Sequence, residues 1–524
     1  MIELNYSKIR HIIFMYMLLP LFCFIALYLH FILGGAFLVV LYIFTIEKLR
    51  IVGKSKGNGK IQIFVHKPKS SNMLQVEIKY LVVFAVVAVV WSFLGGQGNL
   101  FYQSDDWGCR NAVYRDIIYR DWPVIYPDYD KALVYYIGYW LPTATLVKII
   151  GFIAPNIYLT ERAFAIGNIL LWIWTSIGIF LTELLLLTYV KPKSGNRMLL
   201  IPGILVFFSG LDIIGVLRVI IRWQIPFPAL HLEWWCQGLQ FSSLTTCLFW
   251  VFNQTIVPWL AILCILQENK VNNYVFICIC TFAAGPIPML GISVFMILNA
   301  VYKGVVSIFT KKIRKFVFEV FSPVNCMAIL IMPIFLVYYL SNQALNNGMS
   351  NKSLCIFSVF KIETITNRFI GEVILFWFLE AGIYLVLLYR KYKYDIFYYV
   401  VIITTIIAPF VKVGEGTDFV MRFSVPSIMV LAAMCLKYLV DYDFKNTNKK
   451  VDKSICVFLC VCLMLGAMTP LTEFFRGYNA MLQTGKIANV CDNVITFNQD
   501  TPANNFTAHD YKNSLFFKYL YQEE

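Results

Sequence analysis

The chain has 524 residues, 59% of them hydrophobic and only 14% charged, and its mean hydropathy is +0.68. A soluble chain carries about a quarter charged residues. Here the apolar residues form near-continuous runs rather than amphipathic stripes, which excludes a soluble globular fold. The net charge of +14 gathers in short loops beside those runs, so it reads as a topological signal and not as a nucleic-acid surface.

In chain order the runs predict spans at about 12–29, 31–46, 80–95, 163–190, 198–209, 239–267, 274–284, 288–301, 326–341, 370–389, 396–411, 425–440 and 454–470. The expected fold is an all-α integral membrane bundle of about 13 transmembrane helices, with the lipid bilayer as its first partner. It divides into residues 1–79 (a hairpin of two spans and a basic loop), residues 80–470 (the transmembrane core) and residues 471–524 (a short outer tail). The first run lacks a small-x-small cleavage site and a second span follows at once, so it reads as retained. Gly285-Pro286-Ile287-Pro288 marks a break between two half-length helices.

With the N-terminus inside, every basic loop falls on the cytoplasmic side: Lys48 to Lys69, Lys191 to Arg197, Lys303 to Lys315, Arg390 to Lys393 and Lys445 to Lys453. The long outer loop 96–162 carries an expected amphipathic helix at about 108–120, then Leu133 to Gly151. That last stretch is apolar enough to pass for a span, but counting it would invert every later loop. Charge parity therefore makes it an interfacial helix, a setting that favours Tyr and Trp.

The residues able to carry chemistry lie mostly in outer segments. Asp105 and Asp106 follow the flexible Gly95-Gly96-Gln97-Gly98-Asn99; two adjacent carboxylates serve as a general base or as ligands for a divalent cation. Arg218, Arg222 and Arg422 are outer arginines against the cytoplasmic bias, and the planar guanidinium suits a phosphate. Asp418 stands four residues before Arg422, a spacing that also predicts a helical ion pair. Lys412 adds a cation to the same loop, and His231 with Glu233 offers a base, metal ligands or an interfacial polar cluster. Glu183 and Glu380 fall inside predicted spans, where a carboxylate is costly; an ion path and a buried hydrogen bond are both open readings. Cys109, Cys236, Cys355 and Cys491 fall outside the membrane, with no pairing fixed by spacing.

Several of these features occur together. A span leaves the cytoplasm, and Ser104-Asp105-Asp106-Trp107 follows in the first large outer loop. Next come a short helix, the tyrosine-rich Leu133 to Gly151, and Glu161-Arg162-Ala163-Phe164-Ala165-Ile166-Gly167 opening the next span. This pattern resembles the GT-C superfamily of membrane glycosyltransferases, best over about 80–190. Gly416-Thr417-Asp418-Phe419, Arg422-Phe423-Ser424-Val425-Pro426 and the Phe516-Phe517-Lys518-Tyr519-Leu520 tail resemble uncharacterised bacterial members. The extra N-terminal hairpin departs from the family.

The resemblance implies a sugar donor on a polyprenyl phosphate, a glycan, lipid or protein acceptor, and transfer at the outer face of a bacterial inner membrane. Asp105 or Asp106 would deprotonate the acceptor hydroxyl, with a divalent cation on the same pair if one is used. Arg422, with Arg218 or Arg222, would meet the lipid phosphate. Two other functions fit the span count: a polysaccharide polymerase or ligase moving whole lipid-linked glycans, and a transporter or flippase built around Glu183 and Glu380.

Overall fold

The computed structural model describes residues 2–30, 32–39, 73–224, 231–236, 238–342, 367–411, 418–443, 450–485, 492–497 and 505–521. Lys412, Cys355, Cys491 and the first basic loop lie outside them.

The elements are β1 (Ile2–Asn5), α1 (Tyr6–Tyr28), β2 (Met73–Val76), α2 (Ile78–Leu94), α3 (Trp107–Tyr119), β3 (Ile125–Tyr126), β4 (Lys131–Leu133), α4 (Leu141–Ile153) and α5 (Arg162–Val190). They continue with α6 (Leu200–Phe207), α7 (Asp212–Trp223), α8 (Leu244–Val251), α9 (Ile256–Leu266), α10 (Tyr274–Phe282), α11 (Pro286–Phe309), α12 (Ile313–Val320) and α13 (Pro323–Leu340). Last come α14 (Asn367–Trp377), a π-turn at Phe378–Gly382, α15 (Ile383–Tyr392), α16 (Ile396–Ile407), α17 (Asp418–Asp441), α18 (Lys450–Gly466), α19 (Met468–Thr484), β5 (Thr507–His509) and α20 (Leu515–Tyr519).

This is an all-α membrane-embedded protein, but the thirteen expected spans are not reached. Among the described residues, eight helical stretches are long and apolar enough to cross, and α8 with α9 makes a ninth only if a 105° bend is counted as one span. α10 has nine residues, about 14 Å at 1.5 Å per residue and half a hydrocarbon core. It is the short arm of a hairpin with α11, turned at the expected Gly285 break. Of the expected second span only 32–39 is described.

The stretch expected as an interfacial helix, Leu133 to Gly151, instead packs its first half into the bundle. Leu133 closes β4, and the Tyr139 hydroxyl then meets Thr175 Oγ1 at 3.0 Å. Thr175 lies about 20 Å along α5 from Arg162 at 1.5 Å per residue. α4 follows, with Thr143 bonded to Tyr114 (2.9 Å) and Lys148 to Arg120 O (2.7 Å). Tyr139 and Trp140 are fully buried, so these aromatics pack the bundle instead of lying among headgroups. A segment that packs into the bundle without crossing leaves charge parity unchanged, which is why parity could not separate the two forms.

The two ends of the bundle differ in charge. β1 pairs antiparallel with β2, so α1 and α2 start at one end and finish at the other. At the starting end Tyr80 reaches Asn196 (3.4 Å), Lys303 bonds to Glu268 O (2.9 Å), Lys391 to Asp441 (2.8 Å) and Lys437 to Val190 O (3.3 Å). The described basic loops gather there. At the finishing end, β3, β4 and β5 form a three-stranded sheet that joins the loop after α2 to the C-terminal segment. His30 N donates to Leu520 O (2.8 Å), and Asp116 accepts from Val494 N (2.9 Å).

α17 runs through the centre, its apolar window wholly buried. Lipid offers helices no hydrophobic incentive to associate, so close approach rests on small residues. Gly291 of α11 fits this need, since a Cβ there would come within 2.4 Å of Phe423 O on α17.

Candidate functional site at the capped end

The acidic pair sits on a loop that its own side chains stiffen. Gly96 has φ +87°, and a Cβ there would come within 2.9 Å of Tyr102 O, so glycine is required on both counts. Gln103 donates to Gly96 O (2.9 Å) and Asn111 donates to Gln103 Oε1 (2.8 Å). Trp107, buried, donates its indole N–H to Phe249 O (2.9 Å) and stacks on Phe252 at 4.6 Å. α3 is thus anchored on the α8–α9 bend, while Asp105 and Asp106 just before it remain exposed.

The two acids have different neighbours. Asp106 Oδ2 pairs with Arg110 Nη2 at 3.1 Å, the arginine side chain 2% exposed and the aspartate 48%. On the first turn of α17, Arg422 pairs with Asp418 at 3.2 Å, the expected i,i+4 contact. Arg110 lies within electrostatic reach of Asp106, Tyr135 and Arg422, and Arg422 within reach of Asp418, Tyr136, Tyr135 and Asp106. The two guanidiniums therefore share one site, bordered by Tyr135 and Tyr136, whose rings stack at 4.4 Å. Burial works against the Arg110 charge, but Asp106, Cys109 and Tyr135 together outweigh it and the guanidinium pKa is raised. Arg110 Nε and Nη1 and Arg422 Nε are buried with no hydrogen-bond acceptor among the described residues. A buried cation with idle N–H groups is costly until an anion completes it.

Asp105 makes no ion pair among the described residues. It lies within reach of the Tyr102 hydroxyl, which also feels Arg476 and Glu473. Glu473 on α19 accepts from Trp250 Nε1 (3.0 Å) and pairs with His231 Nδ1 (3.1 Å) and with Arg476. The His231 ring stacks on Trp250 at 5.3 Å. Burial depresses the His231 pKa, yet Glu473 and Glu233 raise it by more, so the imidazolium is favoured. Glu233 accepts from Gln240 (2.7 Å) and from Ser243 N (2.8 Å), and burial pushes its carboxyl up. His231 and Glu233 thus belong to a buried ion-pair network adjoining Asp105.

The remaining candidates go elsewhere. Arg218 forms a two-pronged pair with Glu372, both contacts at 2.8 Å, and Arg222 reaches the same carboxylate at 4.0 Å. Arg110 lies within electrostatic reach of Arg422, whereas Arg218 and Arg222 meet at Glu372. Glu183 is fully buried and neither of its oxygens has a hydrogen-bond donor among the described residues. Glu380 accepts from Trp235 Nε1 (2.9 Å) inside the π-turn. Cys109 and Cys236 form no disulfide among the described residues. No group of three His, Cys, Asp or Glu side chains among the described residues is arranged to hold a metal ion. With Asp106 committed to Arg110, the residues present do not build a divalent-cation site on the acidic pair.

Arg110, Glu473 and Arg476 were missed by sequence reasoning. Arg110 follows Asp106 at the same i,i+4 spacing that singled out Asp418 and Arg422, so its signal was available. Glu473 and Arg476 carried none, because only tertiary packing brings them to the outer loop. Comparison with protein-family models, with curated proteins and with solved structures gives no match.

Proposed function

We propose that this protein is a membrane glycosyltransferase that moves a sugar from a polyprenyl-phosphate donor to an acceptor hydroxyl. The observation that carries the reading is an exposed carboxylate pair beside two buried guanidiniums, three of whose nitrogens lack acceptors among the described residues. The described basic loops gather at the opposite end, and the positive-inside bias then makes the site's end extracytoplasmic.

Asp105, held by no ion pair, is the base. The acceptor oxygen bonds to the anomeric carbon as its proton passes to Asp105. The carbon–oxygen bond to phosphate breaks, and its electron pair leaves on the lipid phosphate. Arg110 and Arg422 face that growing charge, and Asp106 orients Arg110.

The test is transfer of radiolabelled hexose from a polyprenyl-phosphate donor in vesicles carrying the full chain. Asp105→Asn is expected to cost about 10²–10⁴-fold, the usual worth of a positioned base. Transfer at the wild-type rate by the Asp105→Asn, Asp106→Asn double variant would sink the proposal. Supplying single-sugar and oligosaccharide donors separately distinguishes hexosyl transfer from glycan polymerisation or ligation.

A further inference from the structure

A second ionic site lies where several interrupted elements meet. α6 stops at Phe207 and α7 restarts at Asp212, leaving Phe208 to Leu211 non-helical. Across from this break, the π-turn carries Glu380, and Leu211 N donates to Leu379 O (3.1 Å). Residues 232–235 supply Trp235, and the α18–α19 junction supplies Thr469. Irregular backbone at membrane depth is tolerated where protein or a polar site receives it, and π-turns mark functional positions often.

Asp212 Oδ2 accepts from Ser209 Oγ (2.9 Å) and from Thr469 Oγ1 (2.8 Å), and Glu380 Oε1 from Trp235 Nε1 (2.9 Å). These partners are hydroxyls and an indole, none of them a cation. The two carboxyls are adjacent, close enough to share a proton. Without that proton Glu380 Oε2 has no donor among the described residues, although Glu380 and Asp212 are each only 1% exposed. Oε2 lies against Gly210, where a Cβ would come within 1.8 Å of it. Two carboxylates in so dry a place cannot both stay charged unaided. Of the other titratable groups, Glu233, His231, Tyr384 and Cys236 feel this pair through space.

We propose that Asp212 and Glu380 form a sodium site, in which Na⁺ exchanges with the proton that the two carboxyls otherwise share. The exchange conserves charge, since either cation leaves the pair at one net negative charge. Every donor is oxygen, which suits a hard cation. Two carboxylates with the hydroxyls of Ser209 and Thr469 fall short of the about six to eight oxygens of a calcium site. Carboxylates and unwound backbone at a helix break are also a recurrent setting for Na⁺ or H⁺ in membrane proteins. The site requires nothing of the transfer chemistry at Asp105.

The test uses the full chain in detergent. Its unfolding temperature is followed in choline, potassium and sodium chloride at equal ionic strength, between about pH 5.5 and 8.5. Sodium is expected to raise Tm, by more at high pH, with the half-saturating concentration rising about tenfold per unit fall in pH where protons compete one for one. Asp105→Asn should keep the sodium shift. Asp212→Asn should abolish it, and Thr469→Val should weaken sodium binding severalfold. Equal Tm in sodium and choline at every pH overturns the proposal, as does stabilisation by Mg²⁺ or Ca²⁺ in place of sodium. If Asp212→Asn fails to fold, the wild-type difference between sodium and choline and its pH slope still decide.

Discussion

The two ionic sites of this bundle are opposites in sign and in access. At the capped end, Arg110 and Arg422 are buried cations beneath the half-exposed Asp106 and Asp418. At the helix breaks, Asp212 and Glu380 are buried anions among hydroxyls and an indole. Among the described residues, each site leaves polar atoms unmatched: three guanidinium nitrogens in the first, one carboxylate oxygen in the second. In a medium of low dielectric, an unmatched group of one sign selects a ligand of the other. The first site has its acids on an exposed rim and fits a phosphate arriving along the membrane surface. The second is enclosed and fits a small cation.

The contrast breaks most easily at Arg422. Arg422→Ala is expected to lower transfer from a polyprenyl-phosphate donor about 10²–10³-fold, the usual loss when one preorganised donor to a developing oxyanion is removed. Arg422→Lys should fall between, because it keeps the charge and loses the planar fork. Neither change should alter the sodium dependence of Tm. Near wild-type transfer by Arg422→Ala would detach the cationic site from the donor.

Gly210→Ala probes the other side, with the next largest effect. Its Cβ would meet Glu380 Oε2 at 1.8 Å and Glu380 Cα at 2.8 Å, so backbone as well as side chain must shift. Overpacking of this kind costs about 1–3 kcal/mol, read as a lower Tm with transfer per folded molecule retained. A variant as stable as wild type would mean that the two carboxyls are not confined.

His231 lies between the two regions, joined to Glu473 near Asp105 and within electrostatic reach of Asp212. Its folded-state pKa is raised, so the imidazolium stabilises the fold. That contribution is fully present below the ordinary histidine value of about 6.5 and is lost as pH rises through the folded value. In choline chloride, Tm should decline over that window in wild type and stay level in His231→Gln. A decline that survives the substitution assigns the pH dependence to another group.

Local chemistry was legible in the sequence and distant chemistry was not. The helix expected at about 108–120 is Trp107–Tyr119, and the Asp418–Arg422 pair forms as the spacing predicts. Both follow from helical periodicity alone. Depth is a different matter, because hydropathy reports that a segment avoids water and not whether it crosses. Tyr139 can therefore pack against Thr175, and the run expected at 239–267 can turn by 105° near Phe252–Gln254. Only the second was counted as a span from its apolar length, and its bend lowers the number of crossings below thirteen. Glu380 was grouped with Glu183 as an acid within a span, and its actual neighbour, Asp212, carried no signal, since only the α6–α7 break and the π-turn bring the two together.

The smallest expected effect is the sharpest test of which arginines serve the donor. Arg218 was expected beside Arg422 on grounds of type and side alone, yet its fork is occupied by Glu372 through both terminal nitrogens. Both partners are about one third exposed, so the pair is screened and is worth only about 0.2–1 kcal/mol. Arg218→Ala should therefore lower Tm slightly and leave transfer within about twofold of wild type, a difference well under 1 kcal/mol in barrier height. Glu372→Gln should behave alike, because either change dissolves the same pair. A loss of transfer with Arg218→Ala that matched Arg422→Ala would mean that the fork releases Glu372 when donor binds. The cationic site would then reach from α17 to α7, and the separation of the two charged regions would no longer hold.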